Sequence, residues 1–263
     1  VSVPPRPADL AEIDNFCDAL WLEDGLAKAT LDSYRSDLGR LAGWLAEHGH
    51  EALLDSRETT LTAFIAHLAK QTRASSQARY LSTLRRFYRW QVGRGRLVSD
   101  PTLKLANPSL PSRLPKVMSE KQVEALLDAP DLDTPLGLRD RAMLLLGFAG
   151  GLRRSEIVSL DHGKDDTPDA GGWVEILEDG VLLTLRGKTG WREVEIARGS
   201  SDQTCPVHAL TQWLHYARID FGPIFVATSR NGLKATSERL SDKHVARLIK
   251  SCAREAGLRP DLP

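Results

Sequence analysis

The stretch that decides the fold runs Gly147-Phe148-Ala149-Gly150-Gly151-Leu152-Arg153-Arg154-Ser155-Glu156-Ile157-Val158-Ser159-Leu160. An apolar helix over 142–148 meets three glycines within five residues, and glycine permits the left-handed turn that ends many helices. Ser155, with an acid beside it, is predicted to start the next helix. The stretch therefore predicts Arg153 and Arg154 on a tight turn between two buried helices. A guanidinium held there suits forked hydrogen bonding to a phosphate, although the local pattern alone favours solvated charges at a helix junction.

The composition is that of a globular protein without a membrane segment. Its 263 residues suffice for one large or two ordinary domains, with 41% hydrophobic and 27% charged residues. No apolar run reaches membrane-spanning length and the N-terminus lacks a signal-type apolar core, so we expect a cytoplasmic protein. Cys17, Cys205 and Cys252 lie far apart, which predicts reduced structural thiols and neither a disulfide nor a zinc site.

The formal net charge is zero, but the charges are segregated along the chain. Residues 1–69 carry 5 basic and 12 acidic residues, a net charge of −7. Residues 70–116 carry 11 basic and 1 acidic residue (+10), and residues 117–263 carry 19 and 22 (−3). A basic block inside a neutral chain creates a local field that selects its partners.

Four amphipathic helices are predicted in the first part of the chain. They run over 9–25, from a cap at Thr30 to Gly49, from near Thr60 and from near Ser75. Because short polar loops join them, they predict a helical bundle.

The fourth of these helices is strongly basic. The cations in and before it that are predicted to contact nucleic acid are Arg73, Arg79, Arg85, Arg86 and Arg89. Such a row of cations releases counterions from DNA phosphates, and Tyr80, Tyr88 and Trp90 interleave with it. The alternative is a solvated arginine face whose aromatic residues are simply core. Solvated faces usually mix signs, whereas Asp100 is the only acid over 70–116, which favours nucleic acid.

Prolines over 99–115 mark a boundary between two domains, because proline lacks a donor and disfavours helix in the residue before it. We predict a helical DNA-binding domain over 1–105, a linker over 106–117 and a second domain over 118–263. Arg113 and Lys116 in the linker are expected to track phosphates.

The second domain is predicted to mix helices with a small sheet. It opens with a capping box at Ser119, and further helices run over 138–149, from Pro206 and over 240–256. Short strands are predicted over 173–177, 180–185 and 193–196, after a polar loop from Asp161 to Gly172. The fold class is therefore mainly α with a small antiparallel sheet, in two domains.

Lys188 lies in the turn Gly187-Lys188-Thr189-Gly190 between the last two of these strands. A lysine on such a tip can reach a DNA groove or a leaving oxygen. The letters Gly-Lys-Thr do not indicate a nucleotide-binding loop, because Leu182 stands where that motif needs glycine and a strand follows where it needs a helix. We therefore expect no nucleotide cofactor.

These features together resemble the tyrosine recombinase family, of the phage-integrase and Xer type, over nearly the whole chain. The stretches that carry the resemblance are Leu31-Asp32-Ser33-Tyr34-Arg35-Ser36-Asp37-Leu38, Leu84-Arg85-Arg86-Phe87-Tyr88-Arg89-Trp90, Asp100-Pro101, Gly151-Leu152-Arg153-Arg154-Ser155-Glu156 and Gly187-Lys188. The resemblance implies an N-terminal SAM-like core-binding bundle and a mixed α+β catalytic domain.

The resemblance also implies a reaction. A tyrosine hydroxyl attacks a scissile DNA phosphate, which gives a 3′-phosphotyrosyl link and a 5′-hydroxyl without a metal or nucleotide cofactor. Arg153 then takes the place of the first catalytic arginine, Lys188 that of the general acid, and Glu156 supports the geometry. Arg154 is the variable neighbour and a further DNA contact. The implied partners are a double-stranded recombination site and other recombinase subunits, which form a tetramer on DNA in the family.

The later boxes of the family do not appear in this sequence. The family continues past its last predicted helix here into a His-x-x-Arg box, a His or Trp and the nucleophilic tyrosine, and Asp261-Leu262-Pro263 stands about where the first of these boxes is expected. The tyrosines that are present, all in predicted helices and better explained by core packing, are Tyr34, Tyr80, Tyr88 and Tyr216. We therefore expect the 263 residues to bind DNA without cleaving it.

Several explanations stay open. The favoured one is that the sequence is part of a longer recombinase. It is otherwise a naturally shortened DNA-binding regulator, or a protein whose partner supplies the nucleophile in trans, which the missing second arginine disfavours. A hypothesis from another class is a helical protein-interaction module whose basic face meets an acidic partner.

Overall fold

The computed structural model describes residues 3–49, 51–109, 117–164, 167, 170–187, 190–229 and 234–258. The chain separates into two compact units, an N-terminal unit over Val1–Arg113 and a C-terminal unit over Leu114–Pro263. The domain and linker bounds predicted above stay predictions, since residues 110–116 lie outside the described part. None of the helices in the described residues combines the length and apolar character that a membrane span requires.

The N-terminal unit is the predicted bundle of four helices. They are α1 (Pro7–Asp24), α2 (Lys28–Glu47), α3 (Glu58–Ala69) and α4 (Ala74–Gly93), with a 3-10 turn at Leu53–Asp55. Its core is rich in aromatic rings: Phe16 meets Phe87 edge to face at 5.3 Å, and the Tyr88 hydroxyl donates to the carbonyl of Leu53 at 2.8 Å. Because these rings and the leucines around them are buried, helix packing fixes which face of α4 remains for other contacts.

The ends of these helices agree with the sequence in one case and differ in another. Gly25 ends α1 in the left-handed conformation at φ 61°, as predicted. The prediction that Thr30 caps the second helix is wrong, since α2 begins at Lys28 and Ala27 accepts its first hydrogen bonds. Lys28 and Ala29 are good helix formers, so the helix extends through them to a residue without a capping side chain.

The helices of the C-terminal unit are α5 (Glu120–Asp128), α6 (Pro135–Ala149), α7 (Arg154–Ser159), α8 (Pro206–Ala217) and α9 (Asp242–Glu255). Ser119 forms the predicted capping box with Gln122 at the start of α5. The prediction of a start at Leu138 for α6 is wrong, because Thr134 caps the helix through the Gly137 amide at 3.0 Å and Pro135 occupies its first turn. Ser155 does not start α7 either; it lies inside that helix, and Arg153 is the residue at the N-cap.

The sheet of the C-terminal unit has five strands in the order β4-β3-β2-β1-β5. They are β1 (Asp161–His162), β2 (Gly172–Ile176), β3 (Gly180–Gly187), β4 (Gly190–Ala197) and β5 (Gly222–Pro223). The three predicted antiparallel strands are confirmed as β2, β3 and β4. The loop predicted from Asp161 is wrong at its start, since β1 pairs there, parallel to β2 and antiparallel to β5. Two-residue strands are too short to show an alternating pattern.

A second, two-stranded sheet joins β6 (Val226–Thr228) to β7 (Ala235–Arg239). Neither of these strands was predicted from the sequence. Ile224 and Phe225, directly before β6, are fully buried, and the Trp213 indole of α8 donates to the Ile224 carbonyl at 2.8 Å. The hairpin is thereby attached to the helical core.

Two buried arginines hold α6 against its neighbours. Arg139 donates to the Asp140 carboxylate at 2.9 and 2.7 Å and to the Val226 carbonyl at 3.1 Å. Arg141 donates to the carbonyls of Leu127 and Gln203. Because buried charges must be compensated, these contacts fix the first half of α6 against its neighbours. The position of α6 in turn sets the position of the turn that follows it.

All three cysteines are free and buried, as predicted for structural thiols. Burial raises the pKa of the Cys17 and Cys252 thiols to about 11, so both remain protonated near neutral pH.

Replacing Gly137 tests the packing at the start of α6. A Cβ there would lie 1.8 Å from the carbonyl oxygen of Asp131, which already accepts from the Thr134 amide and hydroxyl. Gly137→Ala is therefore expected to destabilise the C-terminal unit by more than about 3 kcal/mol. Gly39→Ala in α2 is the control, since nothing lies within 4 Å of its Cβ and the change should stabilise by about 0.5–1 kcal/mol. Calorimetric unfolding measures both, and a Gly137→Ala variant as stable as the parent would contradict the packing described.

Candidate active site and nucleic-acid interface

The turn between α6 and α7 is built by glycines. A Cβ at Gly147 would lie 2.8 Å from the Ile157 Cδ1 atom, so glycine allows α7 to pack closely against α6. Gly151 adopts the left-handed conformation at φ 57°, which reverses the chain directly before Arg153. The turn therefore presents Arg153 at the N-terminal end of α7, while Ile157 and Val158 are buried.

Glu156 fixes Arg153 in place. The carboxylate accepts from the Arg153 backbone amide at 2.7 Å and from the Arg153 guanidinium at 2.8 Å. The Glu156 side chain is only 7% exposed, whereas that of Arg153 is 76% exposed. One edge of the guanidinium is thus tied to a buried carboxylate, and the rest of this five-donor group faces solvent, where an anion can reach it.

Arg192 is a member of this cluster that the sequence analysis missed. Its guanidinium donates to the second oxygen of Glu156 at 3.0 Å. It stands on β4 opposite the fully buried Leu185 and in phase with Val194 and Ile196. That alternation was the available signal, because a strand places every second residue on the same face.

The charge state of Glu156 follows from these contacts. Burial alone would raise the pKa of its carboxyl group. The hydrogen bonds from the Arg153 amide, from Arg192 and from the Arg153 side chain outweigh burial and hold the pKa below its usual range. Glu156 is therefore an anion between two cations, which leaves the cluster positively charged.

A third arginine holds the other end of α7. Arg239 on β7 donates to the carbonyls of Val158 and Leu160 at 2.9 and 3.3 Å, and to the Asp161 carboxylate at 2.5 Å. These carbonyls belong to the C-terminal end of the helix, where a cation is favoured. With Glu156 at one end and Arg239 at the other, α7 is fixed relative to both sheets.

The other cations predicted to bind DNA near this site either make looser contacts or lie outside the described residues. Arg154 is half exposed and lies 4.0 Å from Asp242 of α9, a loose ion pair. Lys188 lies outside the described residues, as do Arg113 and Lys116 of the predicted linker. The strands that lead to Lys188 are described up to Gly187 and Gly190, which face each other in register.

An exposed tryptophan follows the same turn. Trp191 is 46% exposed, its ring lies 5.2 Å from that of the buried Trp173, and the Arg186 guanidinium lies 5.9 Å from it. Trp191 was not predicted from the sequence as a functional residue. It places an aromatic surface beside the turn of the β3–β4 hairpin.

In the N-terminal unit the basic helix α4 has acidic neighbours in the fold, although Asp100 is the only acidic residue over 70–116 in the sequence. Acidic residues of α1 and α2 reach across to it. Arg79 is paired with the buried Asp37 of α2, and Arg86 donates to Asp24 of α1 at 2.6 Å. Arg85 donates to the Asn107 side chain at 2.7 Å and to the Leu105 carbonyl at 2.6 Å. Counting charges along the sequence missed these pairs because they form between segments far apart in the chain.

Arg73 and Arg89 are exposed, and no acidic side chain of the described residues pairs with either. The aromatic residues of α4 are core, as the alternative interpretation had them: Tyr80 is 7% exposed and Tyr88 fully buried. Burial also raises the pKa of the Tyr88 hydroxyl, which makes it a poor nucleophile. The four tyrosines lie in α2, α4 and α8, as predicted, but Tyr216 is 41% exposed, so the prediction that core packing explains it is wrong.

Comparison with known protein families gives matches over both units. A family model described as "Phage integrase, N-terminal SAM-like domain" matches residues 13–95. A second, described as "Phage integrase family", matches residues 116–262.

Curated relatives are similar in sequence. Tyrosine recombinase XerD of Xanthomonas axonopodis pv. citri (strain 306) is 39% identical over 276 residues, covering 97% of this chain and 80% of the relative. Tyrosine recombinase XerD of Ralstonia nicotianae is 44% identical over 189 residues, covering 72% of this chain and 58% of the relative. A XerD of Yersinia pestis is matched over 50% of its length. The chain thus spans between half and four fifths of the length of these relatives.

Solved structures show the same fold. A lambda integrase tetramer bound to a Holliday junction matches with a TM-score of 0.68 at 15% identity, over 95% of this chain and 64% of that one. The XerH site-specific recombinase bound to difH substrate matches with a TM-score of 0.58 at 12% identity, over 95% and 68%. At such identities the likeness concerns the fold alone.

Glu156 should make the stability of the C-terminal unit depend on acid pH. Its folded-state pKa lies below the unfolded value of about 4.3, so its stabilisation is complete above that value and is lost as pH falls through the folded-state pKa. Urea unfolding between pH 7 and pH 3 should therefore show a steeper loss of unfolding free energy for the parent than for Glu156→Gln. Parallel curves for the two proteins would show that the carboxylate is not stabilised by Arg153 and Arg192.

Proposed function

We propose that this chain, which belongs to the phage integrase family, is the DNA-binding and phosphate-activating part of a site-specific tyrosine recombinase. The observation that carries the proposal is the exposed Arg153 guanidinium, held by the buried Glu156 at the start of α7. A preorganised donor of this kind stabilises charge that develops on a phosphate oxygen without having to reorganise during the reaction.

The proposed role of each residue follows from its chemistry. Arg153 binds a non-bridging oxygen of the scissile phosphate, and Glu156 positions Arg153 without touching the DNA. Lys188 protonates the leaving 5′-oxygen as a general acid. Arg192 acts through Glu156, so it is a positioning residue for the same arginine. The proposed reaction uses neither a metal nor a nucleotide.

The proposed substrate is a double-stranded DNA recombination site. The residues proposed to contact its phosphates are Arg73, Arg79, Arg85, Arg86, Arg89, Arg113, Lys116 and Arg154. Other recombinase subunits are the proposed protein partners, because strand exchange joins two sites, and lambda integrase, which shares this fold, is solved on DNA as a dimer and as a tetramer. The proposed location is the cytoplasm, because the proposed substrate is chromosomal or mobile DNA.

A further part of the proposal is that the 263 residues do not cleave DNA. The spacing His-x-x-Arg occurs at His215 with Arg218, at the end of α8, and at His244 with Arg247, inside α9. No tyrosine follows Tyr216 in the 263 residues to serve as a nucleophile after either pair, so we propose that they bind DNA but do not cut it by themselves. The second candidate, a regulator that uses the same fold without catalysis, rests on that same observation. Supplying the missing boxes separates the two candidates.

The decisive test extends the chain with a family C-terminal segment that carries the His-x-x-Arg box and the tyrosine. The DNA is a nicked suicide duplex made from sequences that this chain selects from a random pool. A recombinase gives a covalent protein–DNA adduct with the extended chain and none with the 263 residues. Arg153→Ala should lower the rate of adduct formation by about 10²–10³.

Arg154→Ala is the matched control for that test, since it removes the neighbouring guanidinium. It should weaken DNA binding while leaving the rate at saturating DNA close to that of the parent. An extended parent chain that binds its selected duplex but forms no adduct would favour the regulator instead.

A further inference from the structure

A polar groove of about 680 Å³ lies between the C-terminal end of α1 and the outer face of α4. Arg85, Arg86 and Arg89 line it from α4, and Glu23 and Asp24 line it from α1. The groove thus brings both signs of charge together on the surface that is proposed to meet DNA. Only the positive charges are complementary to a phosphate backbone.

The acids of the groove are engaged with arginines of α4 or just after it. Asp24 pairs with Arg86 at 2.6 Å, and Glu23 pairs with Arg94. All four side chains are between 44% and 54% exposed. Exposed ion pairs contribute little to stability, so these pairs can be exchanged for others at small cost.

The neighbouring pair of Glu12 and Arg96 is different. The two terminal nitrogens of the Arg96 guanidinium, Nη1 and Nη2, each donate to the Glu12 carboxylate at 2.8 Å, and the Glu12 side chain is only 15% exposed. A forked pair whose carboxylate is largely buried holds α1 on the bundle. Glu12 therefore has a structural role that Asp24 and Glu23, in their exposed positions, do not need to share.

We propose that Asp24 and Glu23 are internal competitors of DNA phosphates for the arginines of α4. In the DNA-free protein they hold Arg86 and Arg94, and a phosphate that enters the groove must displace them. Arg89, which no described acid pairs with, is the first contact for that phosphate. The two carboxylates then face the DNA backbone, so they weaken sequence-independent binding and leave tight binding to sites that add further contacts. This inference rests on the proposed function.

Neutralising Asp24 tests the inference. Asp24→Asn should tighten binding to a 30-bp duplex of random sequence about fivefold at moderate salt, because Arg86 is freed and a facing carboxylate is removed. The dissociation constant is measured by fluorescence anisotropy across a range of salt concentrations, and thermal unfolding confirms that the variant is folded.

The chain offers a closely matched control in Asp18→Asn. Asp18 lies on the same helix and its removal changes the net charge equally, but it frees no arginine, because Asp14 continues to hold Arg35 at 3.0 Å. This variant should change the dissociation constant less than twofold. The double variant Asp24→Asn with Arg86→Ala should lose the gain seen with Asp24→Asn alone.

The outcomes separate the inference from the function on which it rests. If Asp24→Asn gains no more affinity than Asp18→Asn, or keeps its gain without Arg86, the competition between carboxylate and phosphate is overturned while DNA binding stands. If the parent protein shows no salt-dependent binding to any duplex, the proposed function itself fails.

Discussion

The candidate site depends on one interaction, the pairing of the buried Glu156 carboxylate with two arginines. A carboxylate removed from water must be compensated by charge and hydrogen bonds, or it destabilises the fold. Arg153 comes from the same short helix and Arg192 from the sheet, so the carboxylate ties α7 to β4. The requirement to satisfy Glu156 therefore sets where the exposed part of Arg153 points. The glycines before α7 permit the close approach that makes this possible.

A second electrostatic pattern organises the N-terminal unit. The acid-rich first segment and the arginine-rich fourth helix are distant in sequence but paired in the fold, through contacts such as Asp24 with Arg86. The carboxylate of Asp37 is buried, and its contacts with Arg79 and Thr83 contribute to the bundle itself. Exposed contacts instead leave arginines whose partners can change. The same residue type thus serves the fold in one position and remains available for binding in another.

Much of the architecture could be predicted because its signals are local. Apolar spacing predicts the four helices of the bundle, Ser119 and Gln122 predict a capping box, and the short apolar runs over 173–177, 180–185 and 193–196 predict three strands. The family motif predicts Arg153 and Glu156 as a pair, and their contact at 2.8 Å is what a helical spacing of three residues allows. The two-residue strands β1 and β5 leave no periodic pattern, so they were missed.

The unpredicted features are those that join distant segments. The Arg192 contact with Glu156 spans 36 residues, and that of Arg86 with Asp24 spans 62. Alternation along β4 places Arg192 on the inner face, but only the packing of α7 shows which carboxylate it meets. Likewise, the count of acids over 70–116 said nothing about the acids of α1. Whether a charged residue is balanced depends on which residues lie beside it on the folded surface, and a count of charges over a stretch of sequence does not show this.

The most direct test of the account replaces the charge that Arg153 is proposed to neutralise. In the chain extended with the missing catalytic boxes, adduct formation is compared on a duplex with a normal scissile phosphate and on one with a neutral methylphosphonate there. If Arg153 stabilises the charge on a non-bridging oxygen, Arg153→Ala should slow the reaction by about 10²–10³ on the phosphate but by less than about tenfold on the methylphosphonate. An equal loss on both substrates would contradict the account and assign Arg153 to the fold alone.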